Sequence, residues 1–206
     1  MQTRIAHVAT ALFLIATASG AQETVSEAKA SFIFNGERIK ISRNGSDVGR
    51  LVLQFASATE SCGGPCIAPM QAAPGVATLD EIEVLDFLVS RVAHNQGLMV
   101  DARAPKDRAV GFIPGSVSLP HTTLEAKNAF KGDILRALGA REFEDVFNFA
   151  DAQQLLVYDN GPSGDDAGKL VRNLLEAGYP PNKISYYRGG MQMWAVLGFS
   201  IDEGQS

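Results

Sequence analysis

Apolar and polar positions along the chain follow several rhythms, and each predicts a different element. Ser31-Phe32-Ile33-Phe34 runs into Asn35-Gly36 and is answered by Glu37-Arg38-Ile39-Lys40-Ile41. Asn-Gly between two strand-like runs predicts a hairpin, because both residues accept positive φ. The alternation through Arg38-Ile39-Lys40-Ile41-Ser42 puts Ile39 and Ile41 on one buried face. Asn44-Gly45 marks a second turn, and that turn chemistry accounts for the formal glycosylation sequon Asn44-Gly45-Ser46. Leu51-Val52-Leu53-Gln54-Phe55 then reads as a third strand, so residues 22–60 predict a small β-element. Residues 61–77 hold Cys62, Gly63, Gly64, Pro65, Cys66, Pro69, Pro74 and Gly75, a composition that forbids a long regular element and predicts a linker.

From residue 78 the texture becomes that of alternating strands and helices. Thr78-Leu79-Asp80-Glu81 has the spacing of a capping box. Ile82, Leu85, Leu88, Val89 and Val92 form a helical stripe that ends near Gly97. Leu98-Met99-Val100 reads as a short buried strand running into Asp101, and Gly115 to Pro120 as another. Leu155-Leu156-Val157-Tyr158 lacks polar alternation, as expected of a strand covered on both faces. A helix carrying Leu170, Val171, Leu174 and Leu175 closes at Gly178. Ile184-Ser185-Tyr186-Tyr187 is a further strand, and Gly189-Gly190 opens a last short helix through Trp194. This order predicts an α/β domain over residues 78–206, an open parallel sheet with helices on both faces, preceded by the β-hairpin element.

Composition adds three constraints. The apolar share, 46% of 206 residues, is ordinary for a globular protein, and the length suits one main domain. A net charge of −5 with no basic tract argues against nucleic-acid binding. Residues 1–21 carry Arg4 ahead of an apolar run from Val8 to Ala18, then Ser19-Gly20-Ala21. That is the pattern of a secretory signal peptide cleaved after Ala21, with an apolar run too short to span a bilayer. The expectation is a periplasmic or secreted protein with no membrane attachment after cleavage, in a compartment that oxidises thiols.

The strand-and-turn order resembles the rhodanese-like family over residues 78–202. Val100-Asp101-Ala102-Arg103 followed by Gly111-Phe112-Ile113-Pro114-Gly115-Ser116 is similar to the family's strand, Asp-x-Arg turn and Gly-His-Ile-Pro-Gly segment, with Phe112 in place of the histidine. Leu156-Val157-Tyr158 stands where the strand feeding the active-site loop belongs. Leu174 to Tyr179, then Tyr187-Arg188-Gly189-Gly190-Met191, Trp194 and Gly198, matches the C-terminal signature. Asp101, Arg103, Gly111, Pro114, Gly115, Arg188, Gly189, Gly190 and Trp194 are read as scaffold. They mark the fold and carry no chemistry of their own.

In active members, as the resemblance implies, a cysteine follows the Val-Tyr strand at the head of a helix and carries sulfur as a persulfide. Here that position is Asp159. The loop continues Asn160, Gly161, Pro162, Ser163, Gly164, Asp165, Asp166 without cysteine, and is longer than the family's usual cradle. A carboxylate cannot hold a persulfide, so ordinary sulfur transfer at this loop is expected to be absent. Its aspartates are expected to cap the helix and repel anions. Two sharper alternatives are a hard cation held by Asp159, Asp165 and Asp166, and an aspartate nucleophile helped by Lys169.

The remaining sulfur chemistry lies in Cys62-x3-Cys66. No histidine follows Cys66, so haem attachment fails, and the spacing is not that of a thioredoxin-like pair. A local disulfide, a redox or sulfur-relay dithiol, and a Cu(I) site of Cys62, Cys66 and Met70 all stay open. His94 and His121 read as surface or loop residues, since a zinc site would require them to converge. The expectation is an exported accessory or binding module of sulfur or redox processes, with no cofactor and with an unknown protein or a small sulfur compound as partner. The alternatives are a thiol–disulfide or persulfide relay through Cys62 and Cys66, and a soft-metal carrier.

Overall fold

A computed structural model describes residues 24–26, 29–43, 48–56, 67–144 and 146–203. Residues 1–21, the turn at 44–46, Cys62 and Cys66 lie outside them. The elements run β1 (Thr24–Ser26), β2 (Lys29–Phe34), β3 (Glu37–Ser42), α1 (Val48–Phe55), β4 (Ala77–Thr78), α2 (Glu81–Phe87), β5 (Gly97–Asp101), α3 (Pro105–Val110), β6 (Ser116–Ser118), α4 (Lys131–Ala137), β7 (Arg141–Phe143), β8 (Val146–Asn148), β9 (Gln154–Tyr158), α5 (Asp166–Glu176), β10 (Ile184–Tyr187) and α6 (Gly190–Val196).

The centre is a five-stranded sheet in the order β4-β10-β9-β5-β6, with every pair parallel. Its strands are covered on both faces because successive side chains enter opposite cores. Met99, Leu156, Tyr158 and Tyr187 meet α2 and α6 through Val84, Leu85, Leu88, Met191 and Trp194. Val100, Leu155, Val157, Ile184 and Tyr186 meet α5 through Leu170, Val171 and Leu174, with Leu135 of α4 beside them. The expected α/β architecture is therefore present.

The hairpin forms with Asn35 and Gly36 at φ 50° and 83° and pairs Phe34 with Glu37. It is not a separate layer: Ala30, Phe32 and Ile41 are buried in the core shared with α2 and α6. Ser42 and Arg43 reach the chain's far end, where the Ser200 amide donates to the Ser42 carbonyl at 2.9 Å.

Several sequence readings need correction. Leu51 to Phe55 is not a strand but the second half of α1. Phe55 is buried while Leu53 is 77% exposed, a helical distribution rather than an alternating one. The capping box belongs to Asp80 and Glu83, not Thr78 and Glu81: Asp80 accepts from the Glu83 amide at 2.9 Å, and Glu83 accepts from the Asp80 amide at 2.9 Å. Thr78 is instead claimed by β4, paired with Tyr186. The helix stripe from Ile82 is also not uniform, since α2 passes into a π-turn at Leu88–Val92. The antiparallel pair β7–β8 was not anticipated.

Candidate functional site

The carboxyl ends of β5 and β9 bring together two polar assemblies, one structural and one at the loop. In the first, Asp101 is fully buried at the end of β5 and Arg103 is 1% exposed. Arg103 grips both carboxylate oxygens of Asp101, Nε to Oδ1 at 2.9 Å and Nη2 to Oδ2 at 2.7 Å, and Nη2 also donates to the Gly111 carbonyl at 2.7 Å. Arg108 donates to Asp101 Oδ2 at 3.1 Å and to the Ser116 hydroxyl and carbonyl at 2.9 and 2.7 Å. The Tyr158 hydroxyl donates to Asp101 Oδ2 at 3.1 Å and meets Ser116 Oγ at 2.9 Å. The Arg108 guanidinium lies over the Phe112 ring, 3.8 Å from its centroid, which gives the residue replacing the family's histidine a packing role. These bonds tie β5, β6, β9 and the α3 segment into one frame.

The second assembly is the loop itself. Asp159, the first residue after β9, is 1% exposed and turns its carboxylate back into the loop. Oδ1 accepts from the Gly161 amide at 2.8 Å and Oδ2 from the Ala167 amide at 2.9 Å. The cap of α5 is thus supplied by a residue that precedes the cap position, Asp165, by six places. Asp165, the residue at the cap position, makes no side-chain cap bond. Burial drives the Asp159 carboxyl up to about 6, only partly offset by the two amides, and the Asp166 carboxylate pushes the same way.

Two glycine contacts let the loop lie this close. Gly190 sits at φ 54°, and a Cβ there would stand 2.5 Å from the Asp159 carbonyl oxygen and from the Gly161 nitrogen. That approach allows the Met191 and Gln192 amides to donate to the Asp159 and Asn160 carbonyls at 3.1 and 2.9 Å. The Gln192 side chain also donates to Ser163 Oγ at 2.6 Å. Gly190 of the sequence motif therefore acts on the loop through the loop's backbone.

The loop also receives two other parts of the chain. Asn160 Nδ2 donates to the Phe55 carbonyl at 3.3 Å. The Ala68 amide donates to the Pro162 carbonyl at 2.7 Å, and Arg188 Nε donates to the Ala68 carbonyl at 2.9 Å. A small cavity behind this junction is lined by Ala68, Pro69, Asp165, Arg172 and Tyr186 among others.

The three aspartates do not form a cation site. Asp165 pairs with Arg172 at 3.1 Å, whereas Asp166 meets His121 Nδ1 at 3.3 Å and Lys169 at 3.8 Å. Among the described residues no group of three or more His, Cys, Asp or Glu side chains converges on a point. Lys169 faces Asp166 rather than Asp159, which removes the basis for an aspartate nucleophile. His121 is not the loop or surface residue expected: it opens a short 3-10 helix, His121–Leu124, half-buried beside the buried Asp166 carboxylate. Met70 is 68% exposed.

A parallel sheet clad by helices, with a loop at the carboxyl end of a central strand held against a Gly-Gly turn, defines an open parallel α/β domain with its loop site at the carboxyl edge of the sheet. A profile of the Rhodanese-like domain matches residues 85–196, and the chain belongs to that family. No curated protein matches the chain. Among solved structures it is similar to a thiosulfate sulfurtransferase from Pseudomonas aeruginosa, with 21% identity over 78% of this chain and 24% of that one, TM-score 0.44. It is similar also to a Rhodopseudomonas palustris protein of unknown function described as a possible tyrosine phosphatase, with 17% identity over 77% and 96% of the two chains, TM-score 0.41. A rhodanese-related protein from Thermoplasma volcanium matches 53% of this chain and 86% of its own length at 20% identity, TM-score 0.35. The chain thus spans about a quarter of the length of the Pseudomonas aeruginosa enzyme.

Proposed function

We propose that this chain is an exported rhodanese-like protein whose loop 159–167 transfers no sulfur, and that it serves as a binding or accessory module in periplasmic sulfur or redox processes. The observation that carries this reading is the state of Asp159. It stands where the resemblance puts the nucleophilic cysteine, and both of its oxygens are engaged by the Gly161 and Ala167 amides. A buried carboxylate used in this way offers neither a sulfur nucleophile nor free amides to an anionic donor. Signal cleavage after Ala21 belongs to the same proposal and is read directly from the amino-terminal sequence of the secreted protein.

A second reading, a thiol–disulfide or persulfide relay at Cys62 and Cys66, is favoured by a different observation. The nearest described anchors on either side of these cysteines, Phe55 and Ala68, are both tied to the loop, through Asn160 and Pro162. In such a relay a cysteine thiolate attacks the outer sulfur of thiosulfate, forming the persulfide S–S bond and expelling sulfite.

One experiment separates the readings. Wild type and the Cys62→Ser/Cys66→Ser double variant are incubated with thiosulfate, then examined by intact mass and by thiocyanate formation with cyanide. The expected result is that the double variant gains no sulfur and releases thiocyanate only at the buffer rate. A sulfur atom gained by wild type and lost with the cysteines supports the relay. Turnover that survives in the double variant overturns the silent-loop reading.

A further inference from the structure

The outer face of the amino-terminal sheet differs in charge from the chain as a whole. Residues 29–43 hold four bases, Lys29, Arg38, Lys40 and Arg43, against one acid, Glu37, in a chain of net charge −5. Pairing sets Lys29 opposite Ser42, Ser31 opposite Lys40 and Ile33 opposite Arg38. Ala30, Phe32 and Ile41 fill the core from the other face, so these six side chains share the outer one, with three cations and no carboxylate. Lys29, Arg38 and Lys40 are exposed, and Arg38 donates to the Ser31 hydroxyl at 3.0 Å.

β3 is also the edge of its sheet: the order is β1-β2-β3, and no further strand joins it among the described residues. The two-residue turn at Asn35-Gly36 makes Glu37, Ile39 and Ile41 the β3 residues that exchange hydrogen bonds with β2. The backbone groups of Arg38, Lys40 and Ser42 therefore point to the open edge. Ser42 has its partner there, since its amide donates to Ser200 Oγ at 3.0 Å and its carbonyl accepts from the Ser200 amide at 2.9 Å. Two residues on, Asp202 is bonded to Phe112, so the chain has left β3. The ladder begun by Ser200 stops short of Lys40 and Arg38.

We propose that the open edge of β3 is a docking site for an extended, acidic segment of a partner protein, which adds a strand beside Arg38 and Lys40. Main-chain bonds to these two residues supply the pairing, and the charge of their side chains selects the sequence. Residues facing Arg38 and Lys40 stand two apart on the incoming strand and lie on the outer face, where acidic side chains meet Arg38, Lys40 and Lys29. The residue between them faces the inner side with the half-buried Ile39, which suits an aliphatic side chain. The recognised pattern is thus acid, aliphatic, acid in an extended chain. A second copy of β3 does not fit, because pairing edge to edge sets Arg38 and Lys40 against the same cations. Nucleic acid fits less well. It offers no strand to the open edge, and the outer face has no aromatic ring on which a base could stack. This surface is separate from loop 159–167, so the proposal does not rest on the loop's silence.

The test adds an acetylated, amidated Glu-Val-Glu-Val-Glu peptide to the isotope-labelled full chain at low salt and follows backbone amides by NMR. At saturating peptide the Arg38 and Lys40 amides should gain exchange protection by about tenfold, while the Ile39 amide, already paired with β2, gains little. The same peptide methylated at its backbone nitrogens keeps the charge but cannot pair, and should bind at least about tenfold more weakly. The Arg38→Glu/Lys40→Glu double variant should weaken the parent peptide by as much. Because the methylated peptide probes the unaltered protein, misfolding of the variant does not decide the result. Equal binding of the methylated peptide overturns strand addition. Tighter binding of a thymidine oligonucleotide or of phosphatidylglycerol vesicles at the same residues overturns the choice of partner. No change at Arg38 and Lys40 in millimolar peptide also overturns the proposal, and leaves the cations as guards of an edge that takes no strand.

Discussion

Arg103→Ala should lower the stability of the domain by about 3–5 kcal/mol, measured as a shift of the urea midpoint with unchanged slope at neutral pH. The reason is what the substitution leaves behind. Asp101 would keep Arg108 and the Tyr158 hydroxyl but lose a two-pronged partner at 2.9 and 2.7 Å, while fully removed from water. The Gly111 carbonyl loses a donor at 2.7 Å, and the space of a large buried side chain empties. Arg103→Lys tests the geometry separately from the charge. A lysine cannot reproduce the paired contact and should recover less than half of the loss. A cost for Arg103→Ala below about 1 kcal/mol would mean the pair is dispensable and the frame is held by Arg108 and Ser116.

The sequence makes some of this frame legible and hides the rest, for identifiable reasons. Leu155-Leu156-Val157-Tyr158 and Ile184 to Tyr187 are readable because a strand buried on both faces has few polar positions, and both lie at the centre of the sheet. Asp101 and Arg103 are readable as a pair because they are two residues apart. Arg108 and Tyr158, which reach Asp101, and Ser116, which bonds to both of them, are not, because they meet only once β5, β6 and β9 are in register. The misread third strand had its signal in view: Val48, Leu51, Val52 and Phe55 stand at helical spacing, and including Val48 would have outweighed the short apolar run. The capping box failed differently. Thr78-x-x-Glu81 and Asp80-x-x-Glu83 have the same spacing, and strand pairing of Thr78 with Tyr186 decides between them. At the loop, the absence of cysteine is plain in the sequence. That Asp159 points inward, and caps α5 from outside the helix, depends on the turn made at Gly161 and Gly164.

That turn depends in its own right on Gly190, and Gly190→Ala should cost about 3 kcal/mol or more. Two costs combine there. The backbone sits at φ 54°, which an alanine adopts only with strain, and the new Cβ would meet backbone rather than a side chain that could swing away. To relieve a 2.5 Å approach to the Asp159 carbonyl and the Gly161 amide, the loop must leave α6 and give up the bonds from Met191 and Gln192. Gly36→Ala in the hairpin is the matched control. Its φ of 83° is as demanding, but nothing lies within 4 Å of the added Cβ, so it should cost only about 1 kcal/mol. Urea unfolding of both variants isolates the steric part as the difference between them. Amide exchange at Gly161 then shows where it falls, with protection lost in Gly190→Ala and kept in Gly36→Ala. Equal costs for the two substitutions would mean that α6 and the loop move apart at little expense. The Gly189-Gly190 turn would then be a feature of the chain's path and not the support that holds Asp159 closed.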